Sequence, residues 1–187
     1  MFIRTERLFL RPGWPEDWPE LLSRICDERI VRHLARAPWP YGAEDARQFA
    51  ATAQDPRCPT FFVTVPSANG TRLIGSCGLG INEGQAELGY WIARDEWGKG
   101  FATEAARAVL RLARVLGHKR VEASNFEDNP ASGRVLAKLG FRRTGAVRPR
   151  YSLARDAVVP AVIHEIEADN LGDCDNCGDD KPRMKAA

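Results

Sequence analysis

Residues 94–105 read RDEWGKGFATEA, two glycines around a lysine followed by the pattern of a first helical turn. A glycine-rich turn that opens a helix leaves backbone N–H groups unpaired at the positive end of the helix dipole, which suits it to hold an anion. Two common anion loops can be tested by spacing. The phosphate loop of nucleotide hydrolases requires a glycine five places before its Gly-Lys pair and Ser or Thr after it, but Ala93 and Gly100 occupy those places. The dinucleotide fingerprint G-x-G-x-x-G is met at Gly98 and Gly100 and fails at Thr103, although Glu122 stands where a ribose-binding acid belongs. Neither loop type is present.

What surrounds the loop narrows the fold. Residues 3–11 read as a strand, and 15–54 carry two or three helical patterns broken by Pro38, Pro40 and Gly42. FFVTV at 61–65 and RLIGSCGLG at 72–80 predict a hairpin, and AELGYWIA at 86–93 a third strand leading directly into the glycines. Beyond the loop, Ala106, Val109, Leu110, Ala113 and Leu116 recur at helical spacing, with Glu104, Arg107, Arg111, Arg114 and His118 opposite and Gly117 as the stop. A strand at 120–124, a helix from Pro130 to Leu139 stopped by Gly140, a strand at 141–148 and an apolar run at 157–166 complete the order. An antiparallel meander followed by βαβαββ predicts an α+β fold, a mixed sheet with helices on its faces.

The chain has 187 residues, 44% hydrophobic and 28% charged, which suits one domain over residues 1–167. A formal net charge of +2 and the lack of a dense basic run argue against nucleic acid as partner, and no window approaches a membrane span. Five cysteines at Cys26, Cys58, Cys77, Cys174 and Cys177 form no disulfide framework and fit a reducing, cytoplasmic setting. Residues 168–187, acidic then basic and poor in large apolar side chains, read as a disordered tail. Its C-x-x-C supplies only half of a zinc site, so no metal is expected.

Three stretches in order, TERLFLRP, YWIARDEWGKGFATEA and NFEDNPASGRVLAKLGF, resemble the GNAT acetyltransferase superfamily, and within it the RimJ/RimL-like ribosomal-protein-alanine N-acetyltransferases. The resemblance covers roughly residues 2–166. It implies the GNAT fold, a mostly antiparallel twisted sheet of six to seven strands in which a splayed pair forms the cleft for acetyl-CoA. It implies a cofactor site formed by Ile92, Ala93 and Arg94 at the strand end, by Trp97, Gly98, Lys99, Gly100, Phe101, Ala102 and Thr103 under the pyrophosphate, and by Asn129 and Ser132 beside the thioester. The family pattern Q/R-x-x-G-x-G/A falls on Trp97, Gly100 and Ala102, with Trp97 departing from it. Small residues there let the backbone approach a phosphate closely.

By the same resemblance an acidic residue on the strand before the loop acts as base, commonly through water, and Glu87 matches it; Ser132 is the second catalytic candidate. Strand alternation puts Glu87, Gly89 and Trp91 on one face. Glu87 also fits a surface glutamate or the partner of a neighbouring arginine, and Ser132 a surface hydroxyl in a first turn capped by Asn129-Pro130. The arginines at 107, 111 and 114 read as the solvated face of a surface helix, and at most Arg107, nearest the loop, would reach a CoA phosphate. Trp14, Trp18, Trp39 and Tyr41 lie in the segment that walls the acceptor pocket in the family, and core packing suits at least two of them.

Three functions fit the sequence: an N-acetyltransferase in which a primary amine attacks acetyl-CoA in a ternary complex, a CoA-binding module without catalysis, and a dinucleotide-dependent redox enzyme. The missing third glycine and the antiparallel strands before the loop disfavour the last. Near-neutral charge does not choose among protein N-termini and small amines as acceptors, nor between monomer and homodimer.

Overall fold

The computed structural model describes residues 1–68 and 70–167. Its strands are β1 (Ile3–Arg4), β2 (Phe9–Arg11), β3 (Thr60–Ser67), β4 (Gly70–Asn82), β5 (Gln85–Ile92), β6 (Arg120–Phe126), β7 (Arg142–Ser152) and β8 (Ala157–Glu167). They form one eight-stranded sheet in the order β1-β2-β3-β4-β5-β6-β8-β7, in which β5 and β6 are parallel and the pairs around them antiparallel. The expected mixed sheet is present, with more strands than expected. Residues 3–11 are a small hairpin, not one strand, because Thr5 accepts the Leu8 N–H on its hydroxyl at 3.0 Å and donates its own N–H to Leu8 O at 3.0 Å.

Helices α1 (Trp18–Ile25), α2 (Glu28–Val31) and α3 (Ala43–Ala50) cover one face, and α4 (Phe101–Val115) and α5 (Pro130–Lys138) the other. The strongly apolar stripe on α4 explains its seat. Ala105, Ala106, Val109, Leu110 and Ala113 are buried against Phe61, Ile74 and Leu88 of the sheet, while Arg111 and Arg114 face solvent. Burying a valine or leucine this fully stabilises the fold by roughly 1.5–3 kcal/mol. Across the sheet, Leu21, Val31, Tyr41 and Ala46 pack on Phe62, Leu73 and Trp91. Alternation along β5 therefore does what the sequence predicts, sending Ala86 and Leu88 toward α4 and Trp91 toward α1–α3.

The break in the sheet positions the site. β5 and β6 pair only at Ala86↔Val121 and Glu87↔Glu122, and past that point β5 stays with β4 while β6 stays with β8. The two strands part into a cleft open at their carboxyl ends, where ligands of α/β sheets commonly sit. The tail from 168 onward, with Cys174 and Cys177, lies outside the described residues; Cys26, Cys58 and Cys77 are free thiols. Among the described residues, no helix is long and apolar enough to cross a membrane.

Candidate active site

The glycine loop sits at the mouth of the cleft. Gly98 and Gly100 have φ of 77° and 81°, the left-handed region that a side chain adopts only with strain. A Cβ on Gly98 would meet nothing within 4 Å, and one on Gly100 only the Arg7 guanidinium at 3.5 Å, so backbone conformation, and not crowding within the protein, calls for glycine. The first helical bond runs from Glu104 N–H to Gly100 O at 3.1 Å. The N–H groups from Gly98 through Thr103 consequently have no acceptor among the described residues, and no side chain caps the helix. Such a row of donors on open surface fits an anion of the phosphate type.

Side chains hold this loop in place. Trp97 donates its indole N–H to Ile92 O at 2.6 Å and so closes the turn back onto β5. Ala93 N–H donates to Ile74 O at 2.7 Å, and Arg94, half-exposed, stands 3.7 Å from Asp27. Glu96 is buried beneath the loop, where it accepts from Lys99 Nζ at 2.9 Å and pairs with Arg72 at 2.6 Å. Lys99 is thus turned inward to a carboxylate. Burial alone would raise the Glu96 pKa, but those two cations outweigh it and hold the carboxyl below its ordinary value.

Residues from the N-terminal hairpin complete the clamp. Arg7 donates to Glu104 Oε2 at 2.7 Å and to Lys99 O at 3.0 Å, and its guanidinium lies 4.7 Å from the centre of the Phe101 ring. Thr5 donates its hydroxyl to the same glutamate at 2.6 Å. Arg107, farther along α4, keeps a buried Nε with no partner among the described residues.

Across the cleft, α5 begins with the expected cap, Asn129 Oδ1 accepting from Ser132 N–H at 3.2 Å. The Ser132 hydroxyl is 2.8 Å from the Tyr90 hydroxyl of β5, which bridges the two walls, and burial pushes the Tyr90 pKa up to about 12. Behind them, Asn125 bonds Asn129 O at 3.2 Å and the buried His164 at 2.8 Å, fixing the turn that carries the cap.

Glu87 faces the other side of the sheet and is paired. Its carboxylate accepts from Ser124 Oγ at 2.9 Å and from Arg150 Nη2 at 2.7 Å, with Arg150 Nη1 closer still to its other oxygen and to Ser124. Burial works against its charge, yet the Arg150 guanidinium, the Ser124 hydroxyl and the charge of Arg36 together hold its pKa below the ordinary value. Nearby, Asp128 collects Arg155 at 2.9 Å and Arg32 at 3.3 Å. Of the aromatic residues in the helical segment, Tyr41 is core, Trp14 and Trp18 lie under Arg11 and Arg47, and Trp39 is exposed.

The structure thus brings the loop residues 97–103 to one end of the cleft, Asn129 and Ser132 to its far wall, and Glu87 to the opposite face of β5. Sequence reasoning missed Arg7, Thr5, Glu96, Tyr90 and Arg150, although the TERLFLRP stretch that holds two of them was already conspicuous.

The sequence matches the family described as an acetyltransferase (GNAT) domain over residues 7–142. It is 30% identical over 172 residues to the uncharacterized N-acetyltransferase p20 of Bacillus licheniformis, which spans 88% of this chain and 94% of that one. The fold is similar to an acetyltransferase (GNAT family) from Bacillus anthracis, with a TM-score of 0.77, 24% identity and coverage of 90% and 99% of the two chains. It is also similar to Mycobacterium smegmatis RimJ in complex with CoA-disulfide, with a TM-score of 0.72, 24% identity and coverage of 88% and 83%.

Proposed function

This chain belongs to the GNAT acetyltransferase family, and we propose that it transfers the acetyl group of acetyl-CoA to a primary amine, on a protein N-terminus or a small molecule, by direct attack in a ternary complex. The observation that carries this reading is the row of unpaired N–H groups from Gly98 through Thr103 beside the parted strands β5 and β6. Bound acetyl-CoA supplies a thioester whose acyl carbon an amine can attack as the C–S bond breaks. We assign the pyrophosphate to the amides of residues 98–103, the pantetheine arm to the cleft edge along Ile92, Ala93 and Arg94 under Trp97, and the thioester end to Asn129 and Ser132. No metal is needed for this chemistry.

The amine must lose a proton, and an α-amine (pKa ~8) or a lysine (~10.4) is mostly protonated at neutral pH. Glu87, kept ionised by Arg150, attracts the ammonium and accepts its hydrogen bond, and water relays the proton onward. The low pKa of Glu87 makes it a weak direct base. Its assigned part is to orient the amine and to start the relay. The three stretches that resemble that branch support a RimJ/RimL-like assignment, and the free thiols Cys26, Cys58 and Cys77 support a cytoplasmic one.

The test is ligand stabilisation together with transfer of label. Acetyl-CoA at about 100 times its dissociation constant should stabilise the native protein by roughly 2.7 kcal/mol, and label should pass from acetyl-CoA to a pool of amines. Gly100→Val, a branched residue forced to φ 81°, should abolish the shift. An unchanged melting temperature for the native protein would refute the cofactor assignment, and stabilisation without transfer of label would leave a CoA-binding module.

A further inference from the structure

We propose that Asn125 and His164 are positioning residues for acetyl transfer, a buried polar pair that sets the turn whose Asn129 and Ser132 take the thioester; the inference rests on the acetyltransferase reading above. Both lie on the covered face of the sheet. Along β6, Val121, Ala123 and Asn125 point the same way, and the antiparallel pairing sets them against Ile166, His164 and Val162 of β8. Val121, Ala123 and Ile166 belong to the core that Leu136 of α5 also enters, and His164 and Asn125 are only 3% and 9% exposed. Such a stripe calls for apolar side chains, because a buried polar group costs free energy unless it is bonded.

The bonds made here engage the whole Asn125 amide. Nδ2 donates to Phe126 O at 2.9 Å and to Asn129 O at 3.2 Å, which uses both of its hydrogens, and Oδ1 lies 2.8 Å from His164 Nε2. The two carbonyls decide which end of the amide is which, so Oδ1 accepts and His164 Nε2 carries the hydrogen. Burial, and after it the charge of Arg143, lowers the His164 pKa, and the ring is neutral at neutral pH.

The start of α5 rests on this locked amide. A Cβ on Gly133, in the first turn, would meet Asn125 Oδ1 at 3.5 Å. Asn129, whose carbonyl takes the Asn125 bond, caps Ser132 N–H at 3.2 Å, and the Ser132 hydroxyl is 2.8 Å from that of Tyr90. Two hydrogen bonds therefore join His164 to Asn129. Misplacing a reacting group by ~1 Å can cost ~100-fold in rate, whereas the pyrophosphate, assigned to the amides of residues 98–103, would be held as before. Asn125 and His164 act through Asn129.

The experiment separates positioning from stability in the purified full-length protein. Asn125→Leu combined with His164→Leu removes both partners and leaves neither orphaned, so the fold should survive. With the amine that takes label in the transfer assay, kcat should fall by about tenfold or more while KM for acetyl-CoA stays within about twofold. His164→Gln keeps an N–H donor for Oδ1 and should hold kcat within about twofold of the native value. Ile166→Ala opens a cavity on the same strand without touching the turn, so it should lower the melting temperature and keep the native kcat. Native kcat in the double variant, or an equal loss in Ile166→Ala, would overturn the proposal while leaving the acetyltransferase reading intact. Should the double variant not fold, His164→Leu takes its place, and a kcat equal to that of His164→Gln overturns the proposal. If no amine takes label, that reading fails, and NMR of acetyl-CoA isotope-labelled at the acyl carbon still decides: the bound carbonyl resonance should move toward that of free cofactor in the double variant. A resonance that keeps its native position, or no bound resonance in the native protein, overturns the proposal.

Discussion

At the start of α4 the chain presents backbone N–H groups, whereas around Glu87 it presents side chains drawn from β5, β6 and β7. The first arrangement follows from two left-handed glycines and a helix that begins without a cap, so it is made by a few consecutive residues. The second exists only once the sheet has formed. On the proposed function, a backbone site of this kind would recognise what all CoA esters share and tolerate side-chain change, while a side-chain site can be altered by one substitution and would set the choice of acceptor. Substitutions on the Glu87 side should accordingly change turnover or selectivity and leave CoA affinity alone, and substitutions under the loop should do the reverse.

The largest effect expected is on the side-chain half. Glu87→Gln keeps the shape and removes the charge, and turnover should fall by roughly 10²–10⁴-fold with acetyl-CoA affinity nearly unchanged. Steady-state kinetics with a calorimetric Kd separates the two. Normal turnover from pH 6 to 9 would show that Glu87 takes no part, and the contrast between the two halves would lose its chemical content.

Next comes the support under the loop. Glu96→Gln should weaken CoA binding by about tenfold, because Arg72 and Lys99 lose the buried carboxylate they share. Both cations are partly exposed, so solvent screens much of the loss and the fold should survive. The same carboxylate gives a pH window. Its pKa is lowered on folding, so its contribution is complete above the ordinary glutamate value of 4.5 and is lost as pH falls through the lower folded value. CoA affinity in the native protein should hold down to that region and then drop. A Glu96→Gln protein with native affinity would mean that the glycines alone set the loop.

How much of this could be read from the sequence follows the same division. Gly98, Gly100, Asn129 and the stripe on α4 were legible because the turn, the cap and the helix are short-range structures. The face of Glu87 was legible too, since alternation along one strand decides it. Its partner was not: Arg150 lies 63 positions away, on a strand whose register slips between Arg143 and Val147 and which runs to Ser152, past the 141–148 read from apolar pattern alone. Thr5 meets Glu104 across 99 positions, and the turn that brings it there contains no glycine, proline or asparagine to announce it. Glu104, placed on the charged face of α4, is drawn inward by that contact.

Arg150→Gln tests the coupling inside the side-chain half, with a smaller change in rate than loss of Glu87 itself. Removing the guanidinium removes the main influence lowering the Glu87 pKa, so burial should then dominate and raise it. Activity that needs the ionised carboxylate should fail at a higher pH than in the native enzyme. The acidic limb of the kcat/KM profile should move up while the rate on the alkaline side stays comparable. An acidic limb that does not move would assign it to a group other than Glu87.

The smallest effect is expected at Ser132, on the wall of the cleft that we propose takes the thioester. Ser132→Ala removes a hydroxyl that touches Tyr90 at 2.8 Å but keeps the backbone N–H that Asn129 caps, so α5 should start as before. Two proton sources remain for a departing thiolate. Tyr90, its pKa pushed up to about 12, is a poor donor to a group whose conjugate acid has a pKa of about 8.5, and a thiolate that weakly basic can leave unprotonated and take its proton afterwards from solvent at the open cleft mouth. Turnover should therefore drop by no more than about fivefold, and the pH profile should keep its shape. Tyr90→Phe should behave alike, since it breaks the same contact from the other wall. If either variant lost a hundredfold or more with CoA affinity intact, the Tyr90–Ser132 pair would have to deliver the proton, and chemistry would rest on side chains at both ends of the cleft.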